Sequence, residues 1–281
     1  MHILFSKPWP WAIATFLALL TLIAVFCLQP QQQRRSDSHS KADIEETPEN
    51  IIADFTSLYI DSPKGLPFRP KFMGVRTMQN PMDLWVIQEI ITEVQPEIVI
   101  ECGTAYGGSA LYYASILNGI RDDFKVFTID IEPDVEHGLK AIDSPEIKRK
   151  AEQLFDDRIE VIESDSLAPQ LLEKLSAECD GKRTLVILDS CHNTKHVLHE
   201  LNAYSKFISD GSYIIVQDTI IDQKEAWIQT HAQCEGYESS AGPAKAVESF
   251  LQTSSGFEID KSKEIYLFTF CPSGFLKKVR N

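Results

Sequence analysis

The sequence predicts an α/β fold, a doubly wound and mostly parallel sheet, and three observations predict it. From residue 81 onward, short β-branched runs alternate with segments of helical period. One of those runs, Ile98–Ile100, leads through Glu101-Cys102-Gly103-Thr104-Ala105-Tyr106-Gly107-Gly108-Ser109 into an apolar helix start. Acids then recur where strands end: Glu101, Asp130, Asp165, Asp189 and Asp218. In doubly wound sheets ligands sit at those carboxyl ends, so the acids read as a functional rim.

The elements follow in chain order. Trp11–Leu28 is an uncharged apolar run of 18 residues between prolines, about the minimum for a membrane-spanning helix of roughly 17–25 residues. Residues 1–28 are expected to form a single-pass anchor. A cleaved signal peptide is the rival reading, but the small residues of a cleavage site are missing where the run ends. Lys7 precedes the run, while Arg34, Arg35 and Lys41 follow it, which puts the main domain on the cytoplasmic side. Residues 29–48 are polar and read as a flexible tether, leaving 49–281 as the folded domain.

Within that domain, Ile51–Ile60 reads as a short helix and 61–80 as an extended approach segment. Asn80 caps a helix with Pro81 at its first position. Strands are expected at 97–101, 125–130, 159–163, 184–189 and 212–217, with helices at 108–119, 146–156, 168–177, 195–209 and 243–252. Phe257–Asp260 and Ile265–Phe270 read as a closing hairpin that puts one antiparallel strand into the sheet.

The net charge of −14 argues against nucleic acid as a partner. The six cysteines have no metal-binding spacing, and five remain outside the apolar run, an odd number that favours free thiols and a reducing compartment. The sequence leaves a homo-oligomer open.

The turn after Ile100 lacks the G-x-G-x-x-G of a nicotinamide site, and an acid stands at its mouth instead. A carboxylate there favours a cationic ligand. S-adenosylmethionine, with a sulfonium and an ammonium, fits that requirement. Glu101, Gly103, Gly107, Gly108 and Ser109 are therefore the expected cofactor turn, and Asp130 is placed to accept from a ribose diol. Asp165 has two readings, a contact to the adenine amino group and a helix cap.

Asp189 and Asp218 end neighbouring strands, and adjacent carboxylates repel unless they share a proton or a cation. Hard oxygen ligands with open water positions suit magnesium. Gln217 either adds an amide oxygen or faces the sheet. His192, three residues after Asp189, is the candidate general base, since a free imidazole titrates near pH 6.5. His196 and His199 are expected to face solvent, and Cys102 and Cys191 have no base partner that would mark a nucleophile.

At these residues the chain resembles the cephalosporin hydroxylase family, which consists of S-adenosylmethionine-dependent O-methyltransferases. The resemblance runs from about Met73 onward. It rests on Met73-Gly74-Val75, Gln79-Asn80-Pro81-x-Asp83-Leu84, the Glu101–Ser109 turn and Leu188-Asp189-Ser190-x-His192. It continues through Gly211-Ser212-Tyr213-x-x-Val216-x-Asp218-Thr219, Gly242-Pro243 and Pro272-x-Gly274-Phe275-Leu276. The resemblance implies a magnesium ion held by Asp189 and the 217–218 pair, where the family usually has Glu then Asp, so Gln217 is a departure. Similar sugar and macrolide O-methyltransferases place a catalytic histidine where His192 stands. The expected activity is methyl transfer to a hydroxyl of a small molecule, sugar or lipid-linked glycan. The alternatives are a membrane-tethered binding protein on an inactive methyltransferase fold, kept open by Gln217, and an NAD-dependent oxidoreductase, disfavoured by the glycine pattern.

Overall fold

The computed structural model describes residues 47–234 and 241–279, one compact unit with its own cores. The expected anchor and nearly all of the expected tether lie outside the described residues. Among the described residues, no helix is long and apolar enough to cross a membrane.

Folded structure begins slightly earlier than the sequence suggested, because the Thr47 side chain accepts from the Asn50 N–H and caps helix α1, Pro48–Ile60. A 3₁₀ turn at Leu66–Phe68 and a small hairpin, β1 (Lys71–Phe72) with β2 (Val75–Arg76), lead to α2 (Pro81–Val94). The predicted Asn80 cap is present, with its side chain accepting from the Met82 N–H. The alternating series then runs β3 (Ile98–Cys102), α3 (Gly108–Asn118), β4 (Lys125–Asp130), α4 (Val135–Lys140), α5 (Pro145–Asp157), β5 (Ile159–Glu163), α6 (Pro169–Cys179), β6 (Thr184–Leu188), α7 (Thr194–Tyr204) and β7 (Tyr213–Val216). After a 3₁₀ segment at Thr219–Gln223 come α8 (Glu225–His231), α9 (Pro243–Thr253), β8 (Phe257–Ile259) and β9 (Phe275–Lys278).

Seven strands form the main sheet in the order β5-β4-β3-β6-β7-β9-β8, parallel except for β9, which runs antiparallel to both neighbours. Strand residues alternate between two cores. Val99, Val126, Leu185, Ile187 and Ile215 pack with α2 and α3 on one face. Ile98, Ile100, Phe127, Val186 and Leu188 pack with α6, α7 and α9 on the other. Chain order leaves β3 toward β4 on one side and reaches β6 on the other, so a switch point falls between β3 and β6.

The expected closing hairpin is corrected in one strand. Ile265–Phe270 is irregular, and its place beside β7 is taken by Phe275–Lys278. Phe268 and Phe270 pack edge-on against Tyr59 of α1, while Leu267, at 74% exposure, faces out. The apolar run therefore spends its pattern on a helix contact rather than on strand pairing.

The expectation of free thiols is also corrected. Cys191 and Cys234 form a disulfide across 43 residues of chain, leaving Cys102, Cys179 and Cys271 as buried free thiols. Counting an odd number of cysteines does not exclude one pair, and only the fold brings these two together.

Candidate active site

The glycine turn is built by close approach. Gly103 has φ of 103°, and a Cβ there would lie 2.0 Å from the Asp189 carbonyl oxygen, so the turn after β3 seats directly on the loop after β6. Gly108 likewise leaves room for the Arg76 carbonyl, at 2.0 Å from a built Cβ. Gly107, at φ of 79°, caps α3 in the left-handed region. Of the predicted turn residues, Gly103 and Ser109 line a cavity of about 550 Å³; Gly107 and Gly108 shape the turn without reaching it.

Glu101 is corrected. The strand continues through Cys102, so Glu101 stays inside the sheet, fully buried and away from the cavity. Its Oε2 accepts from the Thr128 hydroxyl at 2.7 Å, while Oε1 has no partner among the described residues. Burial pushes its carboxyl up to about 7, against hydrogen bonds from Ser109 and Thr128 that pull it down. Its link to the cavity runs through Ser109.

Asp130 lines the cavity at the end of β4, and its carboxylate serves the chain. Oδ2 accepts from the Thr104 and Ala105 N–H groups, both at 2.9 Å, and Oδ1 from the Glu132 N–H at 3.0 Å. Asp165 also lines the cavity while its Oδ1 accepts from the Leu167 N–H at 2.8 Å. Ala168 is the cap residue of α6, so Asp165 braces a turn rather than the helix itself.

At the other end of the cavity Asp189, His192 and Asp218 converge, with one ligand atom from each within 4.8 Å of the others. His192 Nε2 is 3.3 Å from Asp218 Oδ2. Asp218 has φ of 57°, a strained conformation for a non-glycine residue that aims the side chain off the end of β7. Gln79, ahead of α2, donates from Nε2 to Asp189 Oδ2. Burial and the neighbouring Asp218 and Glu101 charges drive the Asp189 carboxyl well above the carboxylate range. Burial also raises Asp218, opposed by His192 and His231. Two desolvated acids this close, with a histidine beside them, fit a divalent cation.

Gln217 does not join this cluster. Its side chain is buried and does not line the cavity, and Oε1 accepts from the Cys271 thiol at 2.8 Å. Alternation along β7 turns residue 217 into the sheet while Asp218 points out. His196 is corrected too. It lines the cavity with Nε2 3.2 Å from buried Glu200, within reach of the Ser166 and Ser190 hydroxyls. Burial pulls its imidazole down, but the Glu200 hydrogen bond and charge raise it overall. His199 is exposed, as expected.

Several lining residues carried no sequence signal. Ser164 and Ser166 lie near the turn end, and His231, Gln233 and Cys234 arrive from the end of α8 and the segment after it. The disulfide pins that segment to Cys191, next to His192. Gln79 stood in a motif of the resemblance, yet only its contact with Asp189 shows what it does.

The fold and the site define the class: an enzyme on the Rossmann-like methyltransferase fold. In support, an apo structure of CmcI aligns at TM-score 0.50 and 17% identity, covering 76% of this chain and 78% of that chain. A Mg-SAM structure of CmcI aligns at TM-score 0.50 and 18% identity over the same shares, 76% and 78%. Among curated proteins, the rhamnosyl O-methyltransferase of Mycobacterium tuberculosis is 34% identical over 212 residues, 75% of this chain and 78% of that one. That of Mycobacterium leprae is 33% identical over 210 residues, 73% and 81% of the two. Residues 67–279 match the family described as Rhamnosyl O-methyltransferase/CmcI, and the chain belongs to it.

Proposed function

We propose that the chain is an S-adenosylmethionine-dependent O-methyltransferase, assisted by magnesium, acting on a hydroxyl of a sugar. The observation that carries this reading is one continuous cavity joining the Gly103 turn to the Asp189–His192–Asp218 cluster. Its volume of about 550 Å³ lies within the range of roughly 300–1,000 Å³ usual for ligand sites. The family and the names of the mycobacterial relatives support sugar oxygen as the acceptor. A lipid-linked glycan is the finer form of the same proposal.

When bound, S-adenosylmethionine would supply a methyl group on a sulfonium, and magnesium, which Asp189 and Asp218 would hold, would supply positive charge that makes an acceptor hydroxyl more acidic. The remaining work belongs to the chain. Asp130 holds the Thr104–Ala105 turn rigid, so the cofactor pocket is formed before binding. The His192 imidazole removes the acceptor hydroxyl proton as the oxygen–methyl bond forms and the methyl–sulfur bond breaks. Asp218, 3.3 Å away, stabilises the resulting imidazolium. Ile220, Ile221 and Phe270 line the apolar wall and exclude water.

The test is calorimetric titration with S-adenosylmethionine, with and without magnesium, and NAD as control. Binding of the first alone supports the reading; a preference for NAD sinks it. Activity untouched by chelator or by Asp189→Ala would remove the metal from it.

The membrane anchor at 1–28 remains a proposal, and the side on which the domain lies has two signals. The loop charges favour the cytoplasmic side, whereas a disulfide beside the site calls for an oxidising compartment. We take the disulfide as the stronger, because the charge margin is only two cations. In intact cells Cys191 and Cys234 should resist maleimide until a reductant is added; free labelling would restore the cytoplasmic assignment.

A further inference from the structure

One surface of the domain is at odds with a freely soluble protein. Ile51, Phe55 and Leu58 follow one another at helical spacing on α1, and all three are exposed, Leu58 at 71%. Phe55 stacks edge-on against Phe268, which brings the exposed Ile265-Tyr266-Leu267 segment into the same patch. These are the apolar residues whose pattern suggested a strand, and strand pairing does not account for them. A patch of this make-up marks a contact surface.

The chain beside the patch has a distinct charge. From Ser62 to Met82 there is no acid, while Lys64, Arg69, Lys71 and Arg76 are all exposed. Lys71 and Arg76 are paired across the β1–β2 hairpin. Arg69 donates to the Lys64 carbonyl, and Arg76 lies 5.5 Å from the centre of the Tyr106 ring. None of the four has a carboxylate partner among the described residues. In a chain of net charge −14, this is an island of positive charge. The apolar stripe on α1 is flanked by exposed Glu49 and Asp54, while Asp61, just after the helix, is engaged by Lys224 and the Trp227 indole N–H.

We propose that this face docks the domain onto the interface of a bilayer containing anionic lipid. Apolar side chains enter the boundary between headgroups and acyl chains, and the four cations meet headgroup phosphates. Ile60, Pro67, Phe68 and Met78 line the cavity, so its mouth opens beside the docked face. The proposal does not depend on methyl transfer.

The test is co-sedimentation of residues 47–281, whose cores lie wholly within the described unit, with vesicles of phosphatidylcholine alone or mixed with phosphatidylglycerol. The expected result is binding to the mixed vesicles that weakens with salt. Leu58→Asp with Leu267→Asp, and separately Lys64→Glu with Lys71→Glu, should each lower the bound fraction about tenfold. All four side chains are exposed, so the fold tolerates the changes. Absence of vesicle binding, or undiminished binding by both variants, overturns the proposal. A dimer that forms without vesicles and is lost in Leu58→Asp/Leu267→Asp assigns the face to a second copy instead.

Discussion

At the ends of β3 and β4, negative charge is used up by the chain itself. Asp130 accepts three backbone N–H bonds and braces the turn that Gly103 allows to sit against the neighbouring loop. At the ends of β6 and β7 the reverse holds. Asp189 and Asp218 crowd one another, and one side-chain amide, that of Gln79, answers Asp189. The first region is satisfied by the chain's own hydrogen bonds, and the second leaves two crowded carboxylates that a divalent cation would relieve. An acid at a strand end is thus not one signal but two, and its hydrogen-bond partners separate them.

Three measurements would break or sharpen that contrast. The largest effect is expected from His192→Ala, which should lower kcat by about 10²–10⁴-fold while leaving S-adenosylmethionine affinity nearly unchanged. Equal losses in both would mean that the two ends are not separable. Next, Gln79→Leu should weaken magnesium affinity by about 10–100-fold, read by metal titration of activity. An unchanged metal requirement would deny that Asp189 depends on its amide partner.

The smallest effect concerns the buried acid between the two regions. Glu101 has a folded-state value of about 7 against an ordinary 4.5, so between those values the folded chain holds the proton more tightly than the unfolded one. Stability then falls as pH rises through that window, and the loss is complete above about 7. Asp83, also raised to about 7 by burial, adds to the same trend. In Glu101→Gln the drop in Tm from about pH 5 to about pH 8 should shrink by roughly 5 °C. An identical drop in both proteins would mean that Glu101 is ionised in its buried place.

Much of this architecture was legible in the residues. β3 through β7 were marked by β-branched runs, and Asn80-Pro81 announced a helix start that the structure contains. What failed did so for identifiable reasons. Ile265–Phe270 has the composition of a strand, but strand pairing is decided by a partner far away, and β9 supplied it. Gln217 stands one residue before cavity-lining Asp218, and an alternation of period two turns it to the other face. Glu101, by contrast, stays inside the sheet because its strand runs on to Cys102. His196 shares a helix with exposed residues, yet buried Glu200 one turn later draws it inward. The disulfide depends on the path of the chain after α8, for which no local pattern exists.

The order of the strands also sets an order of completion. β9 lies between β7 and β8, yet it is synthesised long after β7 has left the ribosome. Until it arrives, β7 has an open edge, and the Val216 N–H lacks the Gly274 carbonyl that it later meets at 2.9 Å. The Gly103 turn and Asp130 need nothing from this late segment. A nascent chain can therefore form the Gly103 turn before the edge of the sheet next to Asp218 is completed.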